Sequence, residues 1–112
     1  MRVACLGGGP AGLYFGISMK LRDPDSEVIV FERNRADDTF GWGVVLSDET
    51  LDNLARNDSV SASKIRDYFA YWDDVATIHN GHKELSTGHG FCGIGRKRML
   101  LILQARAKEL GV

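Results

Sequence analysis

The sequence predicts an α/β fold with a parallel β–α–β core, an added antiparallel hairpin and a long packed helix. Within the first 32 residues, a glycine-rich turn and a mostly apolar helical stretch separate two short apolar runs. The dipeptide Asn80-Gly81 between two roughly alternating segments is a strong hairpin signal. Residues 96–110 carry apolar side chains at helical spacing and are followed by Gly111.

Residues 2–33 organise the chain. Residues 2–6 are a short apolar run, and residues 7–12 read Gly-Gly-Gly-Pro-Ala-Gly, which matches G-x-G-x-x-G. A helical stretch and a second apolar strand follow, and that strand ends at Glu32, twenty residues after Gly12. Strand, glycine loop, helix, strand and terminal acid in this order are the dinucleotide-binding fingerprint of a Rossmann-like fold. The complete context disfavours the alternative, a tight β–α turn that binds nothing.

Each position of this fingerprint has a physical reason for its residue type. Gly7 lets the chain turn sharply out of the strand, Gly9 leaves room for a pyrophosphate, and Gly12 lets the helix pack close to the strand. Pro10 fits at the helix start, where a missing N–H has no intrahelical partner in any case. Free N–H groups and the positive end of the helix dipole attract a diphosphate, and Glu32 can accept hydrogen bonds from both ribose hydroxyls. We therefore predict that this stretch binds an ADP moiety.

Composition places the chain among ordinary globular proteins. It has 112 residues, is 44% hydrophobic and 26% charged, and carries a net charge of −1, which gives no sign of a nucleic-acid or membrane-surface partner. No apolar run approaches the roughly 18 residues that a membrane helix needs, and the glycines with Pro10 interrupt an N-terminal run that imitates a signal peptide. The two cysteines, Cys5 and Cys92, suit a reducing compartment. We expect a cytoplasmic protein.

After the second strand, residues 33–39 form a predicted charged loop. Arg33 either reaches the adenosine or is a solvated loop charge. Residues 40–46, Phe-Gly-Trp-Gly-Val-Val-Leu, match neither a helical nor a strict strand period. Two interpretations are about equally good: close backbone approach to a flat ligand, or a bulge or buried turn. Ser47 is the predicted N-cap of a helix with Thr50 at its third position.

In the second half of the chain, residues 61–69 predict a short helix, residues 70–79 a strand, and residues 82–86 its antiparallel partner. Residues 88–95 are glycine-rich and predicted to be extended. Arg96 then stands where this segment becomes the last helix. It can reach an anionic ligand or stay in solvent, and its charge alone favours solvent. The predicted buried face of that helix consists of Met99, Leu100, Leu103, Ala107 and Leu110.

The chemistry-bearing side chains outside the fingerprint form no recognisable site. The spacing of His79, His82 and His89 fits no ordinary zinc pattern. The sequence also carries no nucleophile–base signature. We therefore predict no metal site and no catalytic residue within this chain.

The assembled motifs resemble the N-terminal part of flavin-dependent aromatic hydroxylases, the single-component FAD monooxygenases. The matching segments are residues 3–13, Phe-Glu-Arg at 31–33, Gly-Trp-Gly-Val-Val-Leu-Ser at 41–47, and Gly-Arg-Lys-Arg-Met-Leu at 95–100. Residues 31–35, 37–41, 69–74 and 88–94 look most like salicylyl-CoA 5-hydroxylases and the related 2-aminobenzoyl-CoA monooxygenase/reductases. The glycine motif is shared with many FAD and NAD enzymes, whereas the later segments are more selective.

The resemblance implies that residues 1–112 are the N-terminal portion of an FAD-binding domain. Arg33 would then lie along the adenosine, with Glu32 on its ribose, and Arg96 would contact the phosphate–ribityl part. Where many relatives carry an arginine before position 43, this chain has Phe-Gly-Trp at residues 40–42. The resemblance further assigns the FAD pyrophosphate to Gly7, Gly9, Pro10, Ala11 and Gly12, and the path to the isoalloxazine to Gly43, Val44 and Val45.

The resemblance also implies an activity, the NAD(P)H- and O2-dependent hydroxylation of an aromatic substrate that is an acyl-CoA in the most similar members. Relatives are several hundred residues long, so we expect a fragment that is inactive alone, exposes apolar surface and self-associates. Two other functions stay open. One is an NAD-binding dehydrogenase module, which Glu32 would suit equally well, and the other is a non-enzymatic nucleotide-binding or interaction domain.

Overall fold

The computed structural model describes residues 1–36 and 38–112 of the chain. Asp37, which falls in the predicted charged loop, lies outside the described residues. The described residues form seven strands and four helices in the predicted mixed α/β arrangement. In chain order the elements are β1 (Arg2–Leu6), α1 (Pro10–Arg22), β2 (Glu27–Phe31), β3 (Gly43–Ser47), α2 (Asp48–Asn57), α3 (Ser59–Arg66), β4 (Ala70–Trp72), β5 (Val75–His79), β6 (His82–Ser86), β7 (Phe91–Gly95) and α4 (Arg96–Leu110).

The first three elements form a β–α–β unit. Strands β1 and β2 pair in parallel, with Leu6 opposite Phe31, and α1 is the crossover between them. Pro10 occupies the first turn of α1, as the sequence predicts. The helix buries Leu13 and Ile17, which pack against α4 rather than only against the strands. The carboxyl ends of both parallel strands therefore lie beside the start of α1.

A second, antiparallel sheet has the strand order β3–β7–β4. Residues 43–47 form a regular strand here, because β7 supplies a full hydrogen-bonding partner with Val44 opposite Ile94. The prediction of one continuous strand over residues 70–79 is wrong. The chain breaks at Asp73 and Asp74, so that β4 pairs with β7 while β5 pairs with β6.

The predicted hairpin is present between β5 and β6. Asn80 and Gly81 both have positive φ angles, 48° and 78°, as a type I′ turn requires. His79 faces His82 across this turn, which sets the register of the pair. Every residue of the two strands is exposed to solvent.

Side-chain caps set the starts of α2 and α3. The hydroxyl of Ser47 accepts a hydrogen bond from the N–H of Thr50 at 3.3 Å, as predicted. Helix α3 begins two residues before the predicted start at residue 61. The reason is Asp58, whose carboxylate accepts from the N–H of Ser61 at 3.3 Å and so caps the helix.

Helices rather than strands supply most of the core. Ile17 of α1, Ile65 of α3 and Leu103 of α4 are fully buried where the three helices meet. Gly111 closes α4 with φ 83°, as predicted. Of the predicted face of α4, Leu110 is only partly buried. The buried residues of this helix are Met99, Leu100, Ile102, Leu103 and Ala107.

The outer face of the β1–β2 pair exposes large apolar side chains. Leu6 is 89% exposed, Phe31 54% and Ile29 42%, and all three side chains project from the same face. A contiguous exposed apolar face of this kind favours association with another apolar surface. Among the described residues, no helix is long and apolar enough to cross a membrane.

We expect the isolated chain to self-associate through this face. Sedimentation velocity over a range of protein concentrations should show a mass above that of the monomer. The double substitution of Ile29 and Phe31 by threonine keeps β-compatible residues but removes apolar area, and should shift the distribution towards monomer. The substitution Ile78→Thr on the hairpin serves as a control with little effect. A monomeric wild-type chain at all concentrations would contradict the expectation.

One buried ion pair links the junction of α2 and α3 to α4. Asp58 is 4% exposed, and Arg106 donates to both of its carboxylate oxygens at 2.9 and 3.0 Å. Burial acts to raise the pKa of Asp58, but hydrogen bonds from Arg106 and Ser61 outweigh it, so this pKa lies below its usual range. The pair therefore fixes the position of α4 relative to the cap of α3.

The substitution Arg106→Met should lower the free energy of unfolding at neutral pH by about 3 kcal/mol, because it leaves a buried carboxylate without its cation. Because folding lowers the pKa of Asp58, its carboxylate stabilises the fold fully at pH values above the unfolded-state pKa of about 3.9. This stabilisation is lost as the pH falls through the pKa of Asp58 in the folded state. The difference between wild type and variant should therefore shrink as the pH is lowered below the unfolded-state pKa. Urea denaturation at neutral pH and in a series of acidic buffers measures it.

A matched control is Lys64→Met, which removes an exposed pair with Glu109. We expect it to cost less than about 1 kcal/mol. Equal losses of unfolding free energy in the Lys64 and Arg106 variants would show that burial of the Asp58–Arg106 pair does not increase its contribution to stability.

Candidate functional site

The glycine loop joins the end of β1 to the start of α1. Gly7 has φ 109°, a left-handed conformation that glycine adopts without strain. Its N–H donates to the carbonyl oxygen of Phe31 at 2.8 Å, which ties the loop to the end of β2. Gly9 is the N-cap of α1 and Pro10 its first residue. The loop thus places the start of α1 beside the carboxyl ends of both parallel strands.

The packing of the chain explains the glycine at position 12 but not the glycine at position 9. A Cβ atom at Gly12 would lie 1.9 Å from the carbonyl oxygen of Gly7, so any side chain would force α1 away from the loop. A Cβ atom at Gly9 would meet no atom within 4 Å, and its φ of −72° suits any residue. The packing of the chain therefore requires glycine at position 12 but not at position 9. The space over Gly9 is open.

The start of α1 is an electropositive backbone site. Among the described residues, no side chain caps this helix, although Ser47 and Asp58 cap α2 and α3. The N–H groups of Ala11 and Gly12 lie in the first turn, where an α-helix provides no internal acceptor. Together with the positive end of the helix dipole, they suit an anion.

The carboxylate of Glu32 is held beside this helix start. Its Oε1 accepts hydrogen bonds from the backbone N–H and the side-chain amide of Asn34, both at 2.9 Å, and its Oε2 accepts from the N–H of Gly8 at 2.8 Å. The backbone hydrogen bonds from Asn34 and Gly8 hold the pKa of Glu32 below its usual range. Glu32 is therefore ionised at neutral pH and fixed in orientation.

A cavity lies between the glycine loop, the segment after β2 and the start of α4, where Gly9, Glu32 and Arg96 line it together. Arg96 is half-buried, so the expectation from its charge alone, that it is exposed to solvent, is wrong. Its N–H donates to the carbonyl oxygen of Trp42 at 3.0 Å, which joins the start of α4 to the start of β3. The other lining residues are Gly8, Asn34, Arg35, Ala36, Asp38, Thr39, Phe40, Leu100 and Gln104.

Other residues that the resemblance assigns to the site lie outside this cavity. Arg33 is exposed and lines a neighbouring groove at the ends of β1 and β2, together with Glu32. Gly43 faces Gly95 in the β3–β7 pair, next to the start of α4. Val44 packs against the core and Val45 is 58% exposed, because successive residues of a strand point to opposite faces.

Three residues at the cavity were not singled out from the sequence. A Cβ atom at Gly8 would lie 2.9 Å from the Cβ of Glu32, so the middle glycine of the Gly-Gly-Gly run is also needed. The run of three glycines was the sequence signal that could have identified Gly8. Asn34 follows Glu32 at the two-residue spacing of local side-chain-to-backbone bonds. Gln104 donates to the carbonyl oxygen of Ala36 at 2.7 Å, a contact between segments 68 residues apart that leaves no local signal.

The histidines lie away from this cavity. His79 and His82 flank the hairpin turn, and His89 stacks on Phe91 with 5.3 Å between ring centroids. His89 also shares a hydrogen bond of 2.6 Å with the hydroxyl of Ser86. Across residues 1–36 and 38–112, no group of three or more His, Cys, Asp or Glu side chains could hold a metal ion.

Comparison with known proteins places these features among hydroxylases and monooxygenases, and it confirms the predicted resemblance to flavin-dependent aromatic hydroxylases. A salicyloyl-CoA 5-hydroxylase of Streptomyces sp is 46% identical over 112 residues, which are all of this chain and 22% of that protein. A protodeoxyviolaceinate monooxygenase of Chromobacterium violaceum is 28% identical over 113 residues, all of this chain and 30% of that protein. No family model matches the chain. The chain spans between about a fifth and a third of the length of its curated relatives.

Solved structures share the fold. A 2-methyl-3-hydroxypyridine-5-carboxylic acid oxygenase superposes with a TM-score of 0.83 at 24% identity, over 99% of this chain and 30% of that protein. CtdE, solved in complex with FAD and a substrate, superposes with a TM-score of 0.78 at 18% identity, over 100% of this chain and 29% of that protein. The arrangement of helices and strands described above therefore recurs in these larger proteins.

The two glycines of the loop give a paired prediction. Gly12→Ala should destabilise the fold by more than about 3 kcal/mol, because its Cβ would lie 1.9 Å from a backbone carbonyl oxygen and the backbone would have to shift. Gly9→Ala should cost no more than about 1 kcal/mol, the difference between glycine and alanine as an N-cap. Urea denaturation of both variants measures the contrast. Similar losses at the two positions would show that the close approach of Gly12 to Gly7 does not control stability.

Proposed function

We propose that this chain holds the ADP part of FAD in a flavin-dependent aromatic monooxygenase, and that residues 1–112 form an N-terminal portion of its Rossmann-like FAD-binding domain. The full-length similarity to a salicyloyl-CoA 5-hydroxylase at 46% identity supports the class of enzyme. The geometry of the glycine loop, Glu32 and the start of α1 supports the kind of ligand. The enzyme to which these residues belong is then an oxidoreductase.

The observation that carries the proposal is the open space over Gly9. Neither the φ angle nor the packing of the chain requires glycine there. A ligand that lies directly on the backbone does require it, because a side chain would occupy the ligand's place. The uncapped N–H groups of α1 border the same space and favour a diphosphate. The residues present therefore fit a dinucleotide.

In the proposed complex the diphosphate lies over Gly7, Gly9 and the first turn of α1, formed by Pro10, Ala11 and Gly12. Glu32 accepts a hydrogen bond from the adenosine ribose. Arg96 borders the same cavity as Glu32 and supplies a positive charge to the phosphate–ribityl part. We further assign Arg33 to the adenosine side, and Gly43, Val44 and Val45 to the approach towards the isoalloxazine. For Val44 only the backbone can serve, since its side chain is in the core.

The proposed reaction is the hydroxylation of an aromatic substrate with NAD(P)H and O2. Bound FAD supplies the redox chemistry, while the residues of this chain bind the cofactor and fix its orientation. The similarity to a salicyloyl-CoA 5-hydroxylase supports an aromatic acyl-CoA as substrate. We assign no acid or base to this chain, and we propose that the 112 residues alone are inactive.

The alternative is an NAD-binding dehydrogenase module. The carboxylate of Glu32 suits the ribose of NAD equally well. However, the strand that follows β2 joins an antiparallel sheet with β7 and does not extend the parallel pair. This feature favours FAD over NAD, and the experiment below separates the two.

We expect the purified chain to retain FAD. The measurement is the visible absorption spectrum before and after FAD is added and the protein is passed through a desalting column. Gly9→Leu should abolish retention because its side chain would fill the diphosphate site, while thermal unfolding shows that the variant is folded. Ile78→Thr on the distant hairpin is the matched control and should retain flavin.

Titrations with ADP and NAD decide between the remaining outcomes. Binding of ADP without retained flavin would indicate that further contacts to the flavin half are needed. Preferential binding of NAD would overturn the assignment to FAD. Failure to bind any of the three ligands would overturn the proposed function altogether.

A further inference from the structure

We propose that Asn34 is a second ribose-binding residue, so that Asn34 and Glu32 together form the receptor for the two ribose hydroxyls of the bound dinucleotide. The inference rests on the proposed function and deepens it, because it names a contact at the same site. The dinucleotide-binding fingerprint assigns this role to the acid alone.

The first argument is a count of acceptor sites on Glu32. A carboxylate accepts about four hydrogen bonds, two at each oxygen. The backbone N–H and the amide group of Asn34 both donate to Oε1, and the N–H of Gly8 donates to Oε2. One acceptor site remains, on Oε2. In this arrangement Glu32 can therefore accept from one ribose hydroxyl but not from both.

The second argument is the orientation of the Asn34 side chain. The atom of the amide that faces Glu32 must be the nitrogen, because an ionised carboxylate can only accept hydrogen bonds. This requirement fixes the position of Oδ1, which takes no part in the two bonds to Glu32. Asn34 is half-buried and lines the same cavity as Glu32 and Gly9. Within residues 1–36 and 38–112 no group donates to its Oδ1, which can therefore accept from the second hydroxyl.

The third argument concerns positioning. Both nitrogens of Asn34 donate to the same carboxylate oxygen at 2.9 Å, so Asn34 also holds Glu32 in one orientation. These bonds favour the ionised form of Glu32. Removal of the amide group should therefore change both the recognition of the ribose and the pH at which Glu32 loses its charge.

The experiment compares ADP with 2′-deoxy-ADP and 3′-deoxy-ADP by titration calorimetry. We expect the wild-type chain to bind ADP about threefold to tenfold more tightly than either analogue, the range of one hydrogen bond. Asn34→Ala should bind ADP and one of the two deoxy analogues with equal affinity, and it should still bind the other analogue more weakly than ADP. The matched control is Asn53→Ala, an exposed asparagine on α2, which should leave both preferences unchanged.

A pH profile separates ribose recognition from a merely structural role. Wild-type affinity for ADP should stay constant to a lower pH than the affinity of Asn34→Ala, because hydrogen bonds hold the pKa of Glu32 below its usual range. In Asn34→Ala the affinity should begin to fall at a higher pH, because the amide group no longer donates to the carboxylate, whereas the backbone N–H groups of residue 34 and Gly8 still do. Thermal unfolding at each pH shows that both proteins are folded.

The possible outcomes are distinct. Binding of ADP with the same two preferences and the same pH profile in Asn34→Ala would overturn this inference and leave the proposed function intact. Failure of the wild-type chain to bind ADP at all would overturn both. The assignment of Asn34 is supported if Asn34→Ala, but not Asn53→Ala, loses the preference for one ribose hydroxyl. Its affinity for ADP should also begin to fall at a higher pH than that of the wild type.

Discussion

The structure depends on one close approach, that of Gly12 to the carbonyl oxygen of Gly7. Because a Cβ atom there would lie 1.9 Å from that oxygen, α1 can start against the loop only where residue 12 is glycine. That start sets the direction of α1, which carries Leu13 and Ile17 into the core against α4. Helix α4 in turn places Arg96 at the cavity. The absence of a side chain at residue 12 therefore affects both the glycine loop and the position of Arg96 at the cavity.

Short-range chemistry made several features of the N-terminal half of the chain predictable. The glycine loop, Pro10 at the helix start and the cap at Ser47 each depend on residues within a few positions, so their patterns are visible in the sequence. The split between β4 and β5 was not predictable in this way. The split depends on the pairing of β4 with β7, which begins only at Phe91. The alternation of apolar and polar residues at positions 70–79 does not indicate which strand pairs with them.

The same distinction applies to the site. Glu32 was predictable because its spacing from the glycines is fixed by one β–α–β unit. The contact of Gly8 with Glu32 spans 24 residues, and that of Gln104 with Ala36 spans 68. Such contacts depend on how whole elements pack. They show that α4 borders the cavity at Gln104 as well as at Arg96, and the motif at residues 95–100 does not indicate Gln104.

The hairpin of β5 and β6 has a consequence for how this protein can change over evolutionary time. None of its strand residues is buried, and its turn needs only Asn80 and Gly81. Selection for folding therefore acts weakly on its length and its side chains. Substitutions and insertions in this segment therefore cost the fold less than a substitution of Gly12, whose Cβ would meet the backbone of the glycine loop.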